Sequence, residues 1–266
     1  MPPRYNIQST YDYLIEVFKG NVENQSIIVK SGVNEDVASG AWELVSNLST
    51  APNWMSSASK VRVKAGGNVA DTHDGAGAQS VVVQGIEAIT LKMVTEEITL
   101  LGANASALTS TLFWRTCTLF IPDGSVGTYG GSNAGPIVLE NSAGTIDLLQ
   151  IDTGESIAQQ CCHTIEAGMV GIFLGFESHV EALKPAHVRI RTRNNIDNTT
   201  TPSPIITAFM ELGIDGESQN QPKSAMGLFP AGSEIWVEAF GDGAITKVSA
   251  AMEFLMVKED QINLAI

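Results

Sequence analysis

A chain of 266 residues, 44% hydrophobic and 17% charged, carries enough apolar side chain to bury a large core, which excludes wholesale disorder. Its formal net charge of −14, from 29 acidic against 15 basic residues, repels phosphate backbones and anionic lipid, so neither nucleic acid nor a membrane is expected as a partner. The three cysteines make no disulfide framework: Cys117 stands alone, and Cys161 and Cys162 are sequence neighbours that could bridge each other only under strain.

Met1-Pro2-Pro3-Arg4-Tyr5-Asn6 lacks the basic-then-apolar pattern of a cleaved leader, so export by that route is not expected. Residues 1–25 read as an N-terminal arm or short helix. Tyr11, Leu14, Ile15 and Phe18 fall at helical spacing, with Ser9 or Thr10 as a cap and Gly20 beyond the end, while Tyr13, Ile15 and Val17 alternate as a strand would. Residues 26–266 read as a β-sandwich domain, one compact unit with two lobes as the alternative. Residues 26–30 and 41–45 are short strands, and 59–64 alternates apolar with basic residues, one side for the core and one for solvent.

Asp71-Thr72-His73-Asp74-Gly75-Ala76-Gly77-Ala78 reads as a surface turn, with Gly75 and Gly77 free to take positive φ and Asp71 and Asp74 able to bond the local backbone. Strands over 81–83 and 89–94 then pair through a turn at 84–88, and 95–100 continues the second. Residues 111–121 are the strongest strand by β-branched and aromatic content, ended by Pro122-Asp123-Gly124. A glycine-rich loop over 125–136 precedes strands at 137–139, 145–151, 162–165, 171–176 and 187–193. Further strands follow at 205–212, 234–239 and 248–257, with polar loops at 194–204 and 215–223. The apolar run 167–176 is too short for a membrane helix and contains three glycines, so it reads as a buried strand. Many short strands bounded by turn signals, with little helical pattern after the N-terminus, predict an all-β fold, an antiparallel β-sandwich or jelly-roll-like arrangement.

No constellation of catalytic, cofactor-binding or metal-ligating residues emerges. Asp71, His73 and Asp74 offer oxygen and nitrogen ligands but miss the calcium-loop spacing, which favours turn chemistry. Glu96 and Glu97 would point to opposite faces of a strand. His73, His163, His179 and His187 have no GxSxG elbow to serve, and Gly75-Ala76-Gly77 precedes a strand where a phosphate loop needs a helix. Cys161, Cys162 and His163 form one crowded group with no CxxC partner, so buried free thiols are expected. Arg189, Arg191 and Arg193 fall on one strand face, either pairing with acidic neighbours or binding an anion. Trp42, Trp54, Trp114 and Trp236 are scattered along the chain and read as core or interface packing, with a sugar platform as the alternative.

Several ordered pieces carry a family resemblance: residues 32–37, Asp71-Thr72 with Gly75-Ala76-Gly77-Ala78, Val83-Gln84-Gly85-Ile86, Glu97-Ile98-Thr99-Leu100, Phe113-Trp114-Arg115, Gly131-Ser132-Asn133-Ala134-Gly135, Thr164-Ile165-Glu166-Ala167-Gly168 and residues 229–235. In these the chain resembles virion structural proteins of tailed bacteriophages, common in aquatic phages: β-rich head-decoration, head-fibre or tail-associated proteins. It departs from their pattern at Leu101-Gly102-Ala103-Asn104, where asparagine-glycine is usual. The resemblance implies a non-enzymatic β module of the virion, assembled in the host cytoplasm, with no catalytic residues to transfer and no cofactor. A capsid-surface place is expected, with the major capsid protein or other virion proteins as partners and a homo-oligomer, a trimer, as the assembly. The alternative is a tail, neck or baseplate module that binds a receptor glycan through the loops at 194–204 and 215–223; a glycan depolymerase ranks third.

Overall fold

The computed structural model describes residues 10–48, 54–124, 132–181, 184–193, 207–214, 219–220, 227–243 and 245–262. The loop expected at 194–204, most of that at 215–223 and residues 125–131 lie outside the described residues.

The N-terminal segment is a helix, α1 (Thr10–Phe18). Helical spacing prevails over strand alternation because Tyr13, Leu14 and Val17 share a stripe that packs on Leu174, Leu255 and Val257. Gly20, at φ +74°, closes the helix in the left-handed conformation. The strands that follow are β1 (Gln25–Val37), β2 (Glu43–Leu44), β3 (Val61–Val63), β4 (Ser80–Glu87), β5 (Met93–Thr99) and β6 (Phe113–Phe120). Next come β7 (Ile137–Asn141), β8 (Asp147–Ile151), β9 (Cys162–Thr164), β10 (Met169–Val180) and β11 (Ala186–Arg193). The last are β12 (Thr207–Ile214), β13 (Gln219–Asn220), β14 (Gly227–Phe229), β15 (Glu234–Gly241) and β16 (Thr246–Lys258).

Two five-stranded antiparallel sheets form a jelly roll. One runs β1-β16-β10-β13, with β14 also on β10; the other runs β12-β11-β15-β2, with β9 also on β15. Counting β13 and β14 as one position and leaving out β3 to β9, the sheets read first-eighth-third-sixth and fifth-fourth-seventh-second in chain order. That interleaving is the double Greek key of a jelly roll. Its core is the inward half of each alternating strand: Ile235, Val237 and Ala239 from β15, Val188 and Ile190 from β11, Val248, Met252 and Phe254 from β16. The apolar run at 167–176 lies largely in β10, buried on both faces: Phe173 and Phe176 enter the core, while Ile172 and Leu174 lie under α1.

Between β2 and β9 the chain inserts a second lobe. Two three-stranded antiparallel sheets, β3-β7-β8 and β5-β4-β6, enclose their own core of Val61, Val81, Val83, Phe113, Leu119, Leu139, Leu149 and Ile151. Bridges Ser59 to Phe113 and Phe120 to Ile157 tie the lobe's edges together. The turn expected at 84–88 sits instead between β4 and β5, at residues 88–92, where Leu91 adopts φ +55°. Gly85 is strand-internal: a Cβ there would come 2.2 Å from the Arg115 carbonyl oxygen, so the glycine marks a close approach of β6 and not a reversal.

Candidate functional site

β11 and β15 pair so that Arg189 faces Glu238, Arg191 faces Trp236 and Arg193 faces Glu234. Their neighbours Ile190, Ile235 and Val237 point into the core, which puts the charged and aromatic side chains on the outer face of the sheet. Arg189 Nη2 lies 2.7 Å from Glu238 Oε2, and its guanidinium stacks 3.8 Å over Trp42. Trp236 Nε1 donates to Glu238 Oε1 at 2.7 Å, and Trp54 meets Trp236 edge-on at 5.0 Å. Arg193 stacks 4.0 Å over Trp54 and its Nε donates to Glu234. Cation–π contacts and ion pairs thus alternate along one strand pair.

The inserted lobe joins this ladder through β6. Arg115 Nε donates to Glu234 Oε1 at 2.5 Å, and Nη1 donates to the carbonyls of Met55 at 3.0 Å and Trp114 at 2.8 Å. Arg115 and Glu234 are closed to solvent, at 1% and 0% exposure. One buried carboxylate therefore holds two guanidiniums, one from each lobe, in a setting where an unpaired charge is strongly disfavoured. Among the described residues, Arg115 Nη2, Arg193 Nη2, Arg191 Nε and Trp114 Nε1 are buried N–H groups with no hydrogen-bond partner.

A second junction lies behind β9. Lys30 of β1 is buried and donates to the Cys117 carbonyl at 3.0 Å and to Thr118 Oγ1. Burial lowers its pKa. Burial also raises the pKa of Cys117 and Cys161 and pushes Cys162 up to about 12, so all three free thiols stay protonated and weakly nucleophilic. His163, its ring 5.9 Å from that of Phe254, has no hydrogen-bond partner for either nitrogen among the described residues, and burial reinforced by the Lys30 charge lowers its pKa to about 3. Among the described residues no group of His, Cys, Asp and Glu is arranged to hold a metal ion.

The turn at 71–78 is present, with His73, Asp74 and Ala76 exposed and Gly75 N–H donating to the Thr72 carbonyl, but Asp71 itself is buried: its carboxylate accepts locally from the backbone N–H of Ala78 and, beyond the turn, from Ala134 at Oδ1 and Gly135 at Oδ2, at 2.8–2.9 Å. Gly75 and Gly77 do not take positive φ. Each is needed for space, since a Cβ would lie 2.1 Å from the Ala70 carbonyl oxygen or 2.2 Å from Asp71 Oδ1. Asn133, also buried, donates to the carbonyls of Gly135 and Asp152. Two of the pieces that carry the family resemblance, at 71–78 and 131–135, thus meet at one carboxylate.

The other candidates stay apart. Glu96 accepts from the backbone of Ser110 and Thr111, while Glu97 accepts from Ser80 Oγ on the opposite face. His73 pairs with Asp74 at 2.6 Å on the surface, and His179 and His187 are exposed. The expected acidic pairing of Arg189 and Arg193 is present, and Trp54, Trp114 and Trp236 gather around the ladder despite their separation in sequence. Sequence reasoning missed Lys30, Arg115 and Glu234. The available signal was a lone charge inside or opening an apolar strand, as in Phe113-Trp114-Arg115 and Glu234-Ile235-Trp236.

No protein-family model matches the chain, and no curated protein matches its sequence. Among solved structures it is similar to that of infectious bursal disease virus, Gt strain, at 9% identity over 98% of this chain and 76% of that one, with a TM-score of 0.27. The Gx strain structure gives 11% identity over 89% and 72%, with a TM-score of 0.25. A mutant VP2 protein of the same virus, in derived T=1 particles, gives 8% over 84% and 76%, with a TM-score of 0.20. Likeness at this level carries no functional assignment.

Proposed function

We propose that the protein is a non-enzymatic structural component of a tailed-phage virion, placed on the capsid surface as a decoration or head-fibre protein. The observation that carries this reading is the interleaved strand order of the jelly roll, an architecture that recurs in viral shells. The sequence resemblance to tailed-phage virion proteins points the same way, and the net charge of −14 suits a part that faces water and not packaged DNA. Protonated, buried thiols suit assembly in a reducing host cytoplasm.

The proposed partners are the major capsid protein and further copies of this chain, as a trimer. Phe18 at 79% exposure, Val29 at 55% and Leu228 at 50% leave apolar side chains uncovered for such contacts. A second reading, a tail or baseplate module that binds glycan, draws on Trp42, half-buried beside Phe240 at 5.7 Å and under Arg189. Cryo-electron microscopy of purified particles, with antibody fragments against this chain as markers, tests the placement. Label at repeated capsid positions is expected. Label confined to the tail would replace the first reading with the second.

A further inference from the structure

β1 is the end strand of its sheet and pairs with β16 on one side only. Among the described residues no backbone hydrogen bond reaches residues 25–29 from the other side. Further along, Cys161 Sγ donates to the Lys30 carbonyl at 3.4 Å, so the open length of the edge is 25–29. Sheet edges are commonly kept from pairing by charge, proline or a bulge. Gln25-Ser26-Ile27-Ile28-Val29 has no proline and no charge, and the irregularity of the strand lies beyond it, between Asn34 and Val37. Ile27, Ile28 and Val29 are all incompletely buried.

Beside this edge, α1 and the outer face of the sheet enclose a groove of about 240 Å³, lined by Leu14 and Phe18 from the helix and by Ile27, Val29, Leu174 and Glu253 from the strands. Phe18 and Val29 are the exposed members of that lining. A projecting ring and an apolar hollow thus sit side by side on one surface, which is the requirement for a self-complementary contact. Charge selects a second copy as the occupant. A chain of net charge −14 repels its copies over most of its surface, and like charges set opposite one another in paired strands destabilise. Residues 25–29, turned about a twofold axis at Ile27, meet only themselves, so no charge opposes another. That axis stands perpendicular to the sheet and leaves both α1 helices on the same side of it.

We propose that residues 25–29 pair antiparallel with the same residues of a second copy, joining two sheets into one, with Phe18 of each copy seated in the groove of the other. A Phe side chain buries ~150–250 Å², so two rings and two short strand stretches cover less than the ~800 Å² per partner of a stable complex. The contact is therefore weak between free chains and strengthens where copies are held close together. It is independent of the virion reading, since it follows from the open edge and the groove beside it.

The test uses the full chain in sedimentation equilibrium, from low micromolar to several hundred micromolar, beside the variants Phe18→Ser and Val29→Lys. Both positions are exposed, and the lysine adds the charge that sheet edges use against pairing. Whichever unit prevails in dilute wild type, its mass is expected to double as concentration rises. Each variant should weaken that association about a hundredfold, because each change acts twice in a symmetric contact at about tenfold a time. Hydrogen exchange locates the contact: amides within 25–29 should gain protection as the mass doubles. Where a variant melts below the wild type, the exchange result in the wild type decides alone. A mass that is constant with concentration, or that doubles equally in wild type and both variants, overturns the proposal. So does full protection of 25–29 in dilute protein, which identifies a segment of the same chain as the cover.

Discussion

Arg115 and Glu234 lie 119 positions apart in the chain and meet at 2.5 Å, with neither side chain open to solvent. The first belongs to the inserted lobe and the second to the jelly roll, so this pair, with Arg193 on the second carboxylate oxygen, fastens one to the other.

Removing the shared carboxylate strands two buried cations. Glu234→Ala is expected to cost ~3–5 kcal/mol in urea unfolding, as for breaking a buried ion pair from one side. Arg115→Met keeps Glu234 paired with Arg193 and should cost clearly less. Equal losses from the two variants would show that Glu234 is not shared in this way.

Gly32 and Gly85 are held by space, not by φ. A Cβ at Gly32 would come 2.3 Å from the Val45 carbonyl oxygen and 2.4 Å from Cys161 N, and one at Gly85 2.2 Å from the Arg115 carbonyl oxygen. Alanine at either is expected to destabilise by ~1–3 kcal/mol, the usual range for forced overpacking. Gly213→Ala, whose nearest contact would be the His187 ring at 3.7 Å, serves as the tolerated control in the same thermal melts.

Asp71 satisfies three backbone donors from two distant segments. Asp71→Ala leaves those N–H groups without their acceptor, at a cost of ~1–3 kcal/mol for each that water does not reach. Hydrogen exchange reads it directly: the amides of Ala78, Ala134 and Gly135 should lose protection together. Loss at Ala78 alone would show that the carboxylate does not bind the second segment.

His163 makes stability depend on pH. Burial, with the Lys30 charge, lowers its pKa from 6.5 to about 3 in the folded protein. Between those values the unfolded chain binds the proton and the folded chain does not, so stability falls as pH drops below 6.5. The slope from this group approaches about 1.4 kcal/mol per pH unit. His163→Phe fills the space without orphaned nitrogens and should flatten the wild-type decline between pH 6.5 and 5 in matched urea titrations. An unchanged slope would show that His163 takes up its proton within the fold.

The strand pattern was legible because most strands bury one face. Alternation in β11, β15 and β16 and the continuous apolar run in β10 announce a sheet protein, and the spacing of Tyr11, Leu14, Ile15 and Phe18 fits a helix, although the face that packs is Tyr13, Leu14 and Val17 and Phe18 is exposed. The site was less legible. A lone arginine in a strand reads the same whether it faces water or a second lobe, and only the fold brings Arg115 to Glu234. Local turn chemistry anticipates the bond from Ala78 to Asp71 but not the two from Ala134 and Gly135, which lie more than sixty positions away. Gly85 misled for a related reason, since a glycine needed for close packing carries the same letter as one needed for a turn.

The most direct test of the virion assignment is the copy number of this chain in purified particles, measured by quantitative mass spectrometry against the major capsid protein. A capsid-surface component should be present in a ratio set by the shell's symmetry, on the order of one trimer per repeated lattice site. Absence from purified particles would contradict the assignment.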